Sequence, residues 1–255
     1  MHQLPHDNGL PRDGDVAPKT FSTDKTEYPQ LNLRVAIIGN CFRAGAIRMF
    51  SQAGCTMAKT VEESDLVVFL GGEDIDPSLY DEKPHKTTYS NIARDNAEME
   101  VFETAVMHDI PMFGICRGMQ LLHALNGGKL YQHVPNHAGS DHSITVEETG
   151  EVIQVSSMHH QMCILNNKMI PVAYATAPGH GGVYHQFNSE LHSESHKDLE
   201  AAIYPDIGAF AVQGHPECEG TPRYRAWCLE QIGSFIASKS GDTWAEVPAF
   251  MKVDV

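Results

Sequence analysis

Short apolar runs and amphipathic stretches alternate along the first half of the chain. The apolar runs are rich in β-branched residues and predict buried strands; they are LRVAIIGN (33–40), SDLVVFLGGED (64–74) and PMFGIC (111–116). The amphipathic stretches predict helices; they are AGAIRMFSQAG (44–54), ARDNAEMEVFETAVMHDI (93–110) and RGMQLLHALN (117–126). Strand and helix alternating three times predict a parallel sheet covered by helices on both faces.

The pattern changes in the second half, where short strands follow one another with little helix between them. These are HSITVEE, EVIQVSS, MIPVAYAT, LEAAIYP and AFAVQGH, and they predict an added, partly antiparallel section. Residues 177–197 are rich in Gly, Ser and His, which predicts a long loop. Residues 222–239 predict a final amphipathic helix.

Acidic residues predict how the second helix begins. Asp95 precedes Glu98 by three residues, the spacing of a capping box, in which two side chains satisfy free backbone N–H groups. We therefore assign Arg94, Asp95 and Glu98 to the start of a helix and not to catalysis.

The chain length bounds the domain organisation. With 255 residues, 42% of them hydrophobic, the chain can form one large α/β domain with a substantial core. We expect a flexible N-terminal arm over residues 1–30, a folded domain over 31–240 that contains the 177–197 loop, and a C-terminal tail over 241–255.

Charge and cysteine content disfavour several function classes. The formal net charge of -15 repels phosphate backbones, so we expect no nucleic-acid partner. No apolar run approaches the roughly 20 residues that cross a bilayer, and the N-terminus lacks the apolar core of a secretory signal. The six cysteines form no CxxC pair, so we expect a cytoplasmic protein without a membrane partner. The thiols at positions 41, 55, 163 and 228 are read as core residues.

Cys116 stands between Gly114 and Gly118, after a predicted strand and before a predicted helix. Such a turn projects its side chain out of the sheet. The N-terminus of the following helix favours a negative charge on the thiol and leaves backbone N–H groups for an oxyanion. Taken alone, a buried structural cysteine explains the motif about equally well.

The stretch QGHPECEG (213–220) contains the groups that a nucleophilic thiol needs. His215 follows a predicted strand, and the carboxyl ends of parallel strands meet at one edge of a sheet. Glu217 lies two residues on, so in extended chain its carboxylate can orient the imidazole. The glycines of LGGED end a third strand and can bring backbone N–H groups to the same edge. Each piece alone fits an ordinary turn, whereas together they favour a reactive centre.

These pieces, in this order, resemble the class I glutamine amidotransferase superfamily. Within it they look most like the peptidase C26 branch of γ-glutamyl hydrolases, including γ-glutamyl-γ-aminobutyrate hydrolase. The resemblance covers residues 33–235 and is carried by VVFLGGEDIDPSLY, ARDNAEMEVFETAV, IPMFGICRGMQLLHALNGGKLYQHV, SSMHHQ and LEAAIYPDIGAFAVQGHPE. It implies a three-layer, flavodoxin-like α/β fold with a mostly parallel central sheet and a small added antiparallel section.

The resemblance also implies a role for each matching residue at the reactive centre. Cys116 matches the nucleophile, His215 the general base and acid, and Glu217 the residue that orients the histidine. The backbone N–H groups of Gly72 and Arg117 match the oxyanion hole. The implied reaction is attack of the thiolate on a γ-amide, release of amine or ammonia, and hydrolysis of the γ-glutamyl thioester by water.

Further matches concern the substrate. Gln120 matches a side chain that helps hold the γ-glutamyl moiety, and the backbone around Ser157, Met158 and His159 matches the segment that grips its α-amino and α-carboxyl groups. No cofactor and no metal site is implied. Four loop histidines lack the accompanying ligand spacing of a known metal site; they are His180, His185, His192 and His196.

Two positions depart from the family pattern. Ser156 stands where the family often has Asn, and Asp198 is followed by Leu199 where the branch commonly has Asp-Gly. The 177–197 segment resembles an insertion. One hypothesis is that this insertion covers the site and selects the leaving amine. The favoured alternative is a solvated surface loop.

Three function classes follow. The leading hypothesis is a free-standing amidohydrolase acting on small γ-glutamyl amides. The second is a glutaminase subunit that delivers ammonia to a separate synthetase partner. The third is a binding protein on an inactive scaffold, against which the intact set of Cys116, His215 and Glu217 argues. The leaving amine stays open, and so does the choice between a monomer and a homodimer.

Overall fold

The computed structural model describes residues 28–134, 137–139, 141–177, 183–186, 189–192 and 197–239. The predicted C-terminal tail and all but residues 28–30 of the predicted N-terminal arm lie outside the described residues. The proposed division of the chain into arm, domain and tail therefore stays a prediction.

Thirteen strands and four α-helices make up the described part of the chain. The strands are β1 Arg34–Ile38, β2 Thr56–Met57, β3 Leu66–Phe69, β4 Met112–Ile115, β5 Leu130–Tyr131, β6 His142–Val146, β7 Val152–Val155, β8 Met162–Cys163, β9 Ile170–Ala175, β10 Val183–Gln186, β11 Ser189–His192, β12 Leu199–Tyr204 and β13 Ala209–Val212. The helices are α1 Arg43–Gln52, α2 Ile92–Met107, α3 Arg117–Leu125 and α4 Pro222–Ala237.

Nine strands form one sheet in the order β2-β1-β3-β4-β13-β12-β9-β6-β7. The strands from β2 to β13 are parallel, and those from β13 to β7 pair antiparallel. The predicted α/β fold, with a parallel sheet and an added antiparallel section, is confirmed. The AFAVQG strand, expected in the added section, is β13 and belongs to the parallel part, where Val212 pairs with Ile115.

Helices cover both faces of the sheet, as predicted for three layers. On one face, Phe50 of α1 and Trp227 of α4 belong to one apolar core. On the other face, Ala105 of α2 and Met119 of α3 belong to a second core. Strands such as β3 and β13 are buried at every position because side chains on both faces meet helices.

The segment from 177 to 197 is not the plain loop that its composition predicts. Strands β10 and β11 form an antiparallel hairpin within it. Tyr184 of β10 is buried, packs edge-on against Tyr131 and donates a hydrogen bond to Asp198 Oδ1 at 2.5 Å. The loop prediction is wrong here because this tyrosine is anchored in the protein interior. A role in covering the site stays a prediction.

The start of α2 also differs from the prediction. Asn91 is the N-cap, and its side chain accepts a hydrogen bond from the backbone N–H of Arg94 at 3.3 Å. Asp95 and Glu98 are buried and form ion pairs with the side chain of Arg117. The capping-box prediction is wrong because these carboxylates face a buried guanidinium instead of the helix end.

All six cysteines are free thiols. Cys55, Cys163 and Cys228 are buried, which confirms them as core residues, whereas Cys41 is half-buried at the border of a surface cleft. No helix in the described parts of the chain is long and apolar enough to span a membrane.

Replacing Gly118 by alanine tests the packing of α3 on the sheet. A Cβ atom at this position would lie 2.1 Å from the carbonyl oxygen of Phe69, so the helix has to shift. We expect the free energy of unfolding to fall by about 1–3 kcal/mol, the usual cost of overpacking, measured by urea denaturation. Glu103→Ala on the exposed face of α2 is the control, and an equal effect of both variants would contradict the packing argument.

Candidate active site

Cys116 occupies the tight turn between β4 and α3. Its φ of 53° and ψ of -108° are strained for a residue with a side chain. The turn is held by hydrogen bonds from Cys116 N to Val212 O at 2.8 Å and from Gln120 N to Cys116 O at 3.2 Å. The residue is 7% exposed, so the thiol lies at the sheet edge beneath the surface.

The two glycines that flank this turn permit close packing of backbone. A Cβ on Gly114 would lie 2.7 Å from the carbonyl carbon of Gly118, and one on Gly118 would meet the carbonyl oxygen of Phe69. Helix α3 therefore begins directly against β3 and β4.

His215 and Glu217 form a hydrogen-bonded pair beside the thiol. The Nδ1 atom of His215 lies 2.8 Å from Glu217 Oε1, and both side chains are buried. The contact is predicted for extended chain, but the backbone forms a turn in which Cys218 N donates to His215 O at 3.2 Å. The predicted partners are correct, and the turn brings them together.

The environment of His215 favours its charged form. Burial lowers the pKa of His215, but charge attraction and hydrogen bonds from Cys116 and Glu217 outweigh it and raise the pKa to about 11. The ring of Phe42 packs edge-on against the imidazole, with ring centroids 5.5 Å apart. An imidazolium between the sulfur of Cys116 and the carboxylate of Glu217 suits transfer of a proton to a leaving group.

The end of β3 brings two further glycines to the same edge. A Cβ on Gly71 would lie 2.9 Å from His215 Cε1 and 3.7 Å from Cys116 Cβ, so this backbone touches both predicted catalytic side chains. Gly72 has a φ of 144°, which favours glycine, and a Cβ there would lie 2.1 Å from Arg94 Nη1. Three strand ends, those of β3, β4 and β13, thus converge at one point.

A buried ion network anchors the start of α3. The guanidinium of Arg117 is 1% exposed and pairs with the carboxylates of Asp95 and Glu98, both on α2. Charges buried without partners are costly, so this pairing determines where α2 and α3 meet. The predicted oxyanion donor at Arg117 is its backbone N–H group, and the side chain holds that backbone in place.

Arg94 extends the network to the end of β3. It pairs with Glu98 at 2.8 Å and Glu73 at 2.6 Å, and its Nη2 donates to the carbonyl oxygen of Gly71 at 2.9 Å. The peptide that carries the N–H group of Gly72 is therefore held by a side chain from α2. Sequence reasoning missed this network; the signal for it is the i, i+4 spacing of Arg94 and Glu98 on one helix face.

The predicted substrate residues lie on α3 and on the segment that follows β7. Gln120 is buried, and its side-chain amide donates to Gln161 O at 3.1 Å and to Gln213 Oε1 at 3.3 Å. The contact of Gln120 with substrate stays a prediction. In the structure, its amide connects the segment at Gln161 to Gln213 at the end of β13.

The segment that follows β7 presents its three predicted residues differently. Ser157 is buried and its hydroxyl donates to His137 O at 2.5 Å. Met158 is 42% exposed, and its backbone forms an isolated bridge with Ala138. His159 is buried and directs its ring inward, with Nδ1 2.9 Å from Gln161 O. The side chains of Ser157 and His159 are thus committed to the interior, whereas the role predicted for this segment concerns its backbone.

A surface cleft of about 560 Å³ opens beside the β3 end. It is bordered by Gly72, Arg94 and Cys41, but Cys116 is not part of its lining. Burial raises the pKa of Cys41, and charge attraction from His215 offsets only part of that rise, so Cys41 lies close to the predicted centre. The interpretation of Cys41 as a core thiol is wrong.

A comparison with family models identifies the chain. Residues 22–217 match the model of peptidase C26. The chain belongs to the Peptidase C26 family. The resemblance that the GICRGMQ and GHPE motifs carried is thereby confirmed for this family.

Curated relatives support the same assignment. The chain is 29% identical to Protein NtpR of Enterococcus hirae over 173 residues, which cover 64% of this chain and 70% of that protein. It is 30% identical to the putative glutamine amidotransferase-like protein YvdE of Lactococcus lactis over 60% of this chain and 66% of the relative. It is also 27% identical to the carbamoyl phosphate synthase small chain of Pseudomonas putida over 87% of this chain, about half (53%) of the relative.

Solved structures share the fold. A putative GMP synthase subunit from Thermoplasma acidophilum has a TM-score of 0.53 at 14% identity and covers 81% of this chain and 94% of its own. A glutamine amidotransferase from Thermotoga maritima has a TM-score of 0.52 at 18% identity, with 83% and 87% covered. These structures show the predicted three-layer fold, whereas the Peptidase C26 match and the curated relatives support a glutamine amidotransferase-type hydrolase of C–N bonds.

The charge of His215 can be tested by NMR titration of the imidazole in this C26 protein. Because its pKa is raised to about 11, the ring should remain an imidazolium from pH 6 to 9 and lose its proton only at higher pH. Glu217→Gln removes one of the two groups that raise the pKa, so its titration midpoint should fall. Glu219→Gln changes an exposed carboxylate nearby and should leave the midpoint where it is. A wild-type midpoint near 6.5 would contradict the ion-pair geometry.

Proposed function

We propose that this C26 protein hydrolyses γ-glutamyl amides of small amines through a γ-glutamyl thioester. The observation that carries the proposal is the convergence of Cys116, the hydrogen-bonded His215–Glu217 pair and the Gly71–Gly72 backbone at one sheet edge. A nucleophile, an oriented base and backbone donors are the parts that acyl transfer requires.

In the acylation step, the thiolate of Cys116 attacks the γ-carbonyl carbon and forms a C–S bond. The carbonyl oxygen becomes an oxyanion, which the backbone N–H groups of Gly72 and Arg117 stabilise. His215 then gives its proton to the nitrogen of the leaving amine, the C–N bond breaks, and the thioester remains. Glu217 supports the charged imidazole before this transfer and keeps its ring oriented.

In the deacylation step, His215 takes a proton from a water molecule that attacks the thioester carbon. The C–S bond breaks, glutamate leaves, and the thiolate and imidazolium are restored. Gln120 and the backbone of residues 157–159 hold the glutamyl end of the substrate during both steps. Because these groups hold the substrate from two separate elements, the γ-carbonyl stays oriented toward the thiolate. The attack of the thiolate then proceeds as an effectively unimolecular step.

Membership of the Peptidase C26 family supports a hydrolase that acts on its own. The alternative is a glutaminase subunit that passes ammonia to a separate synthetase. One observation favours it: the chain is similar to a carbamoyl phosphate synthase small chain over 87% of its length. The two hypotheses share the acylation chemistry and differ in whether a second chain is needed.

A panel of γ-glutamyl amides and glutamine, offered to the purified chain alone, tests the proposal. We expect turnover of γ-glutamyl amides without a partner, and a γ-glutamyl adduct on Cys116 detected by mass spectrometry. Cys116→Ala should abolish both turnover and adduct, and Glu217→Gln should lower kcat by about 10²–10⁴-fold because the imidazole loses its orienting group.

The controls separate the competing functions. Cys55→Ala removes a buried thiol that follows α1 and interacts with Leu33 and Asn32, not with the predicted catalytic residues, so it should keep turnover wherever the variant remains folded. Cleavage of glutamine only in the presence of a synthetase would support the subunit hypothesis. Absence of both turnover and adduct across the panel would exclude the hydrolase.

Arg94 is a positioning residue in this proposal, because it holds the peptide next to Gly72. Arg94→Lys keeps the charge but loses the planar fork that reaches Glu73, Glu98 and Gly71 O together. We expect kcat to fall about tenfold or more with little change in KM, since loss of an oxyanion donor outright costs about 10²–10³-fold. Arg48→Lys, at an exposed position, is the control. A change in KM alone would contradict the positioning role.

A further inference from the structure

Three histidines converge on one buried carboxylate in the antiparallel half of the sheet. Glu200 lies on β12 and is 1% exposed. Its Oε1 atom is 2.8 Å from His142 Nε2, 3.4 Å from His137 Nδ1 and 3.6 Å from His159 Nε2. His142 lies on β6, His137 precedes that strand and His159 follows β7, so four segments meet at one point.

The outward-facing nitrogens of two rings are already hydrogen-bonded. His137 Nε2 lies 2.8 Å from Asp198 Oδ2, and His159 Nδ1 lies 2.9 Å from the carbonyl oxygen of Gln161. A carboxylate and a carbonyl oxygen only accept, so the ring proton resides on these nitrogens in each neutral imidazole. The remaining nitrogens, His137 Nδ1 and His159 Nε2, then direct lone pairs at Glu200.

Lone pairs that face a carboxylate in a dry interior repel it unless a positive species lies between them. The Oε2 atom of Glu200 is buried as well and has no hydrogen-bond partner among the described residues. Buried carboxylate oxygens are costly without a partner. Hydrogen bonds within the cluster therefore leave it incomplete.

A proton on His137 is one candidate for the missing charge. Burial lowers the pKa of His137, but hydrogen bonds to Asp198 and Glu200 outweigh this and raise it to about 9. His159 Nε2 lies 3.6 Å from Glu200 Oε1, beyond hydrogen-bond distance. One added proton on His137 thus leaves the second oxygen of Glu200 without a partner among the described residues.

The separations match those of metal ligands. Bonds of about 2.0 Å from zinc to nitrogen or oxygen in a tetrahedral site place the ligand atoms about 3.3 Å apart. Glu200 Oε1 lies 2.8 Å from His142 Nε2 and 3.4 Å from His137 Nδ1, and the ligand atoms of these three residues all lie within 4.8 Å of one another. Histidine ligands also characteristically donate their other N–H group to a carboxylate or a backbone carbonyl, as His137 does here to Asp198.

We propose that His137, His142 and Glu200 bind one divalent transition-metal ion, with Zn²⁺ the ion that best suits this donor set. Two imidazoles and a carboxylate are typical zinc ligands. Asp198 orients His137, and Tyr184 in turn donates to Asp198. The loop histidines weighed from the sequence are not among these ligands.

The ion would connect the antiparallel half to the segment next to the reactive centre. The hydroxyl of Ser157 donates to the backbone carbonyl oxygen of His137, one of the proposed ligands. Binding of the metal therefore holds the beginning of the segment 157–159 in position. This consequence rests on the proposed function, whereas binding of the metal itself does not.

The experiment measures metal content in the full purified chain. Protein dialysed against EDTA and then given Zn²⁺ should retain about one ion per chain by mass spectrometry of the metal, and its melting temperature should rise. Co²⁺ in place of Zn²⁺ should give visible d–d absorption without a thiolate-to-cobalt charge-transfer band, because no ligand is a thiol. His142→Ala and Glu200→Gln should each lose the bound ion.

A second cluster in the protein calls for a matched control. His215, Glu217 and Cys218 also place ligand atoms within 4.8 Å of one another. Cys218→Ser should keep the metal content of the wild type if the ion is bound at Glu200. A thiolate charge-transfer band, or loss of the ion in Cys218→Ser alone, would move the site to the reactive centre and overturn the proposal.

Absence of metal uptake by the wild-type chain would overturn it as well, and the cluster would then be a proton-bridged network. Co²⁺ spectra of the wild type decide the ligand type even if the Glu200 variants fail to fold. Loss of γ-glutamyl hydrolysis in a chain that keeps its metal would count against the proposed function and not against this site.

Discussion

The rest of the structure depends on how closely helix α3 approaches strands β3 and β4. Gly118 leaves no room for a Cβ beside the carbonyl oxygen of Phe69, and Gly114 leaves none beside Gly118. With the helix pressed against the strands, the connecting residue has to adopt a positive φ, and Cys116 does so at 53°. The same closeness aims the first turn of α3 at the sheet edge where three strands end.

Ion pairs of two arginines hold helix α2, the start of α3 and the end of β3 in this arrangement. Arg117 follows the strained cysteine directly and is buried, so its guanidinium needs carboxylates that only α2 supplies. Arg94, on the same helix, reaches back to the carbonyl of Gly71. One helix thereby positions the backbone on both sides of the thiol. Removing Arg117 would leave the carboxylate of Asp95 buried without a charged partner, which is more costly than the pair is stabilising.

The antiparallel half contributes polar groups to an interior that is otherwise apolar. Strand β12 pairs with β13, and Gln213 N donates to Glu200 O at 2.8 Å just before the turn that carries His215. Ser156 O accepts a hydrogen bond from His215 N at 3.1 Å, so the segment after β7 also supports the backbone of His215. A cluster of imidazoles surrounds Glu200 on this side of the sheet, and we propose that it binds a cation.

Local patterns were sufficient for the elements and for the pairing of His215 with Glu217. Continuous apolar runs identify strands buried on both faces, and the strand ends predict which motifs share an edge. The turn at Cys116 could be predicted because glycines that flank a residue at a helix start are typical of a tight strand-to-helix turn. The family motifs were then needed to predict the roles of the remaining site residues. The match to peptidase C26 supports the assignment of the chain to that family.

The partners of buried charges could not be predicted in this way. Asp95 and Glu98 show the spacing of a cap, and nothing near them in the chain reveals that Arg117, 22 and 19 positions away, needs both. The ligand set around Glu200 is drawn from residues up to 63 positions apart, and Tyr184 anchors a segment whose composition predicts a loop. The sequence by itself determined the strands and helices of the parallel half and which motifs lie at their ends, because these follow from local periodicity and backbone sterics. Only the tertiary structure decided which polar groups meet in the interior, because the cost of burying charge is settled by distant segments.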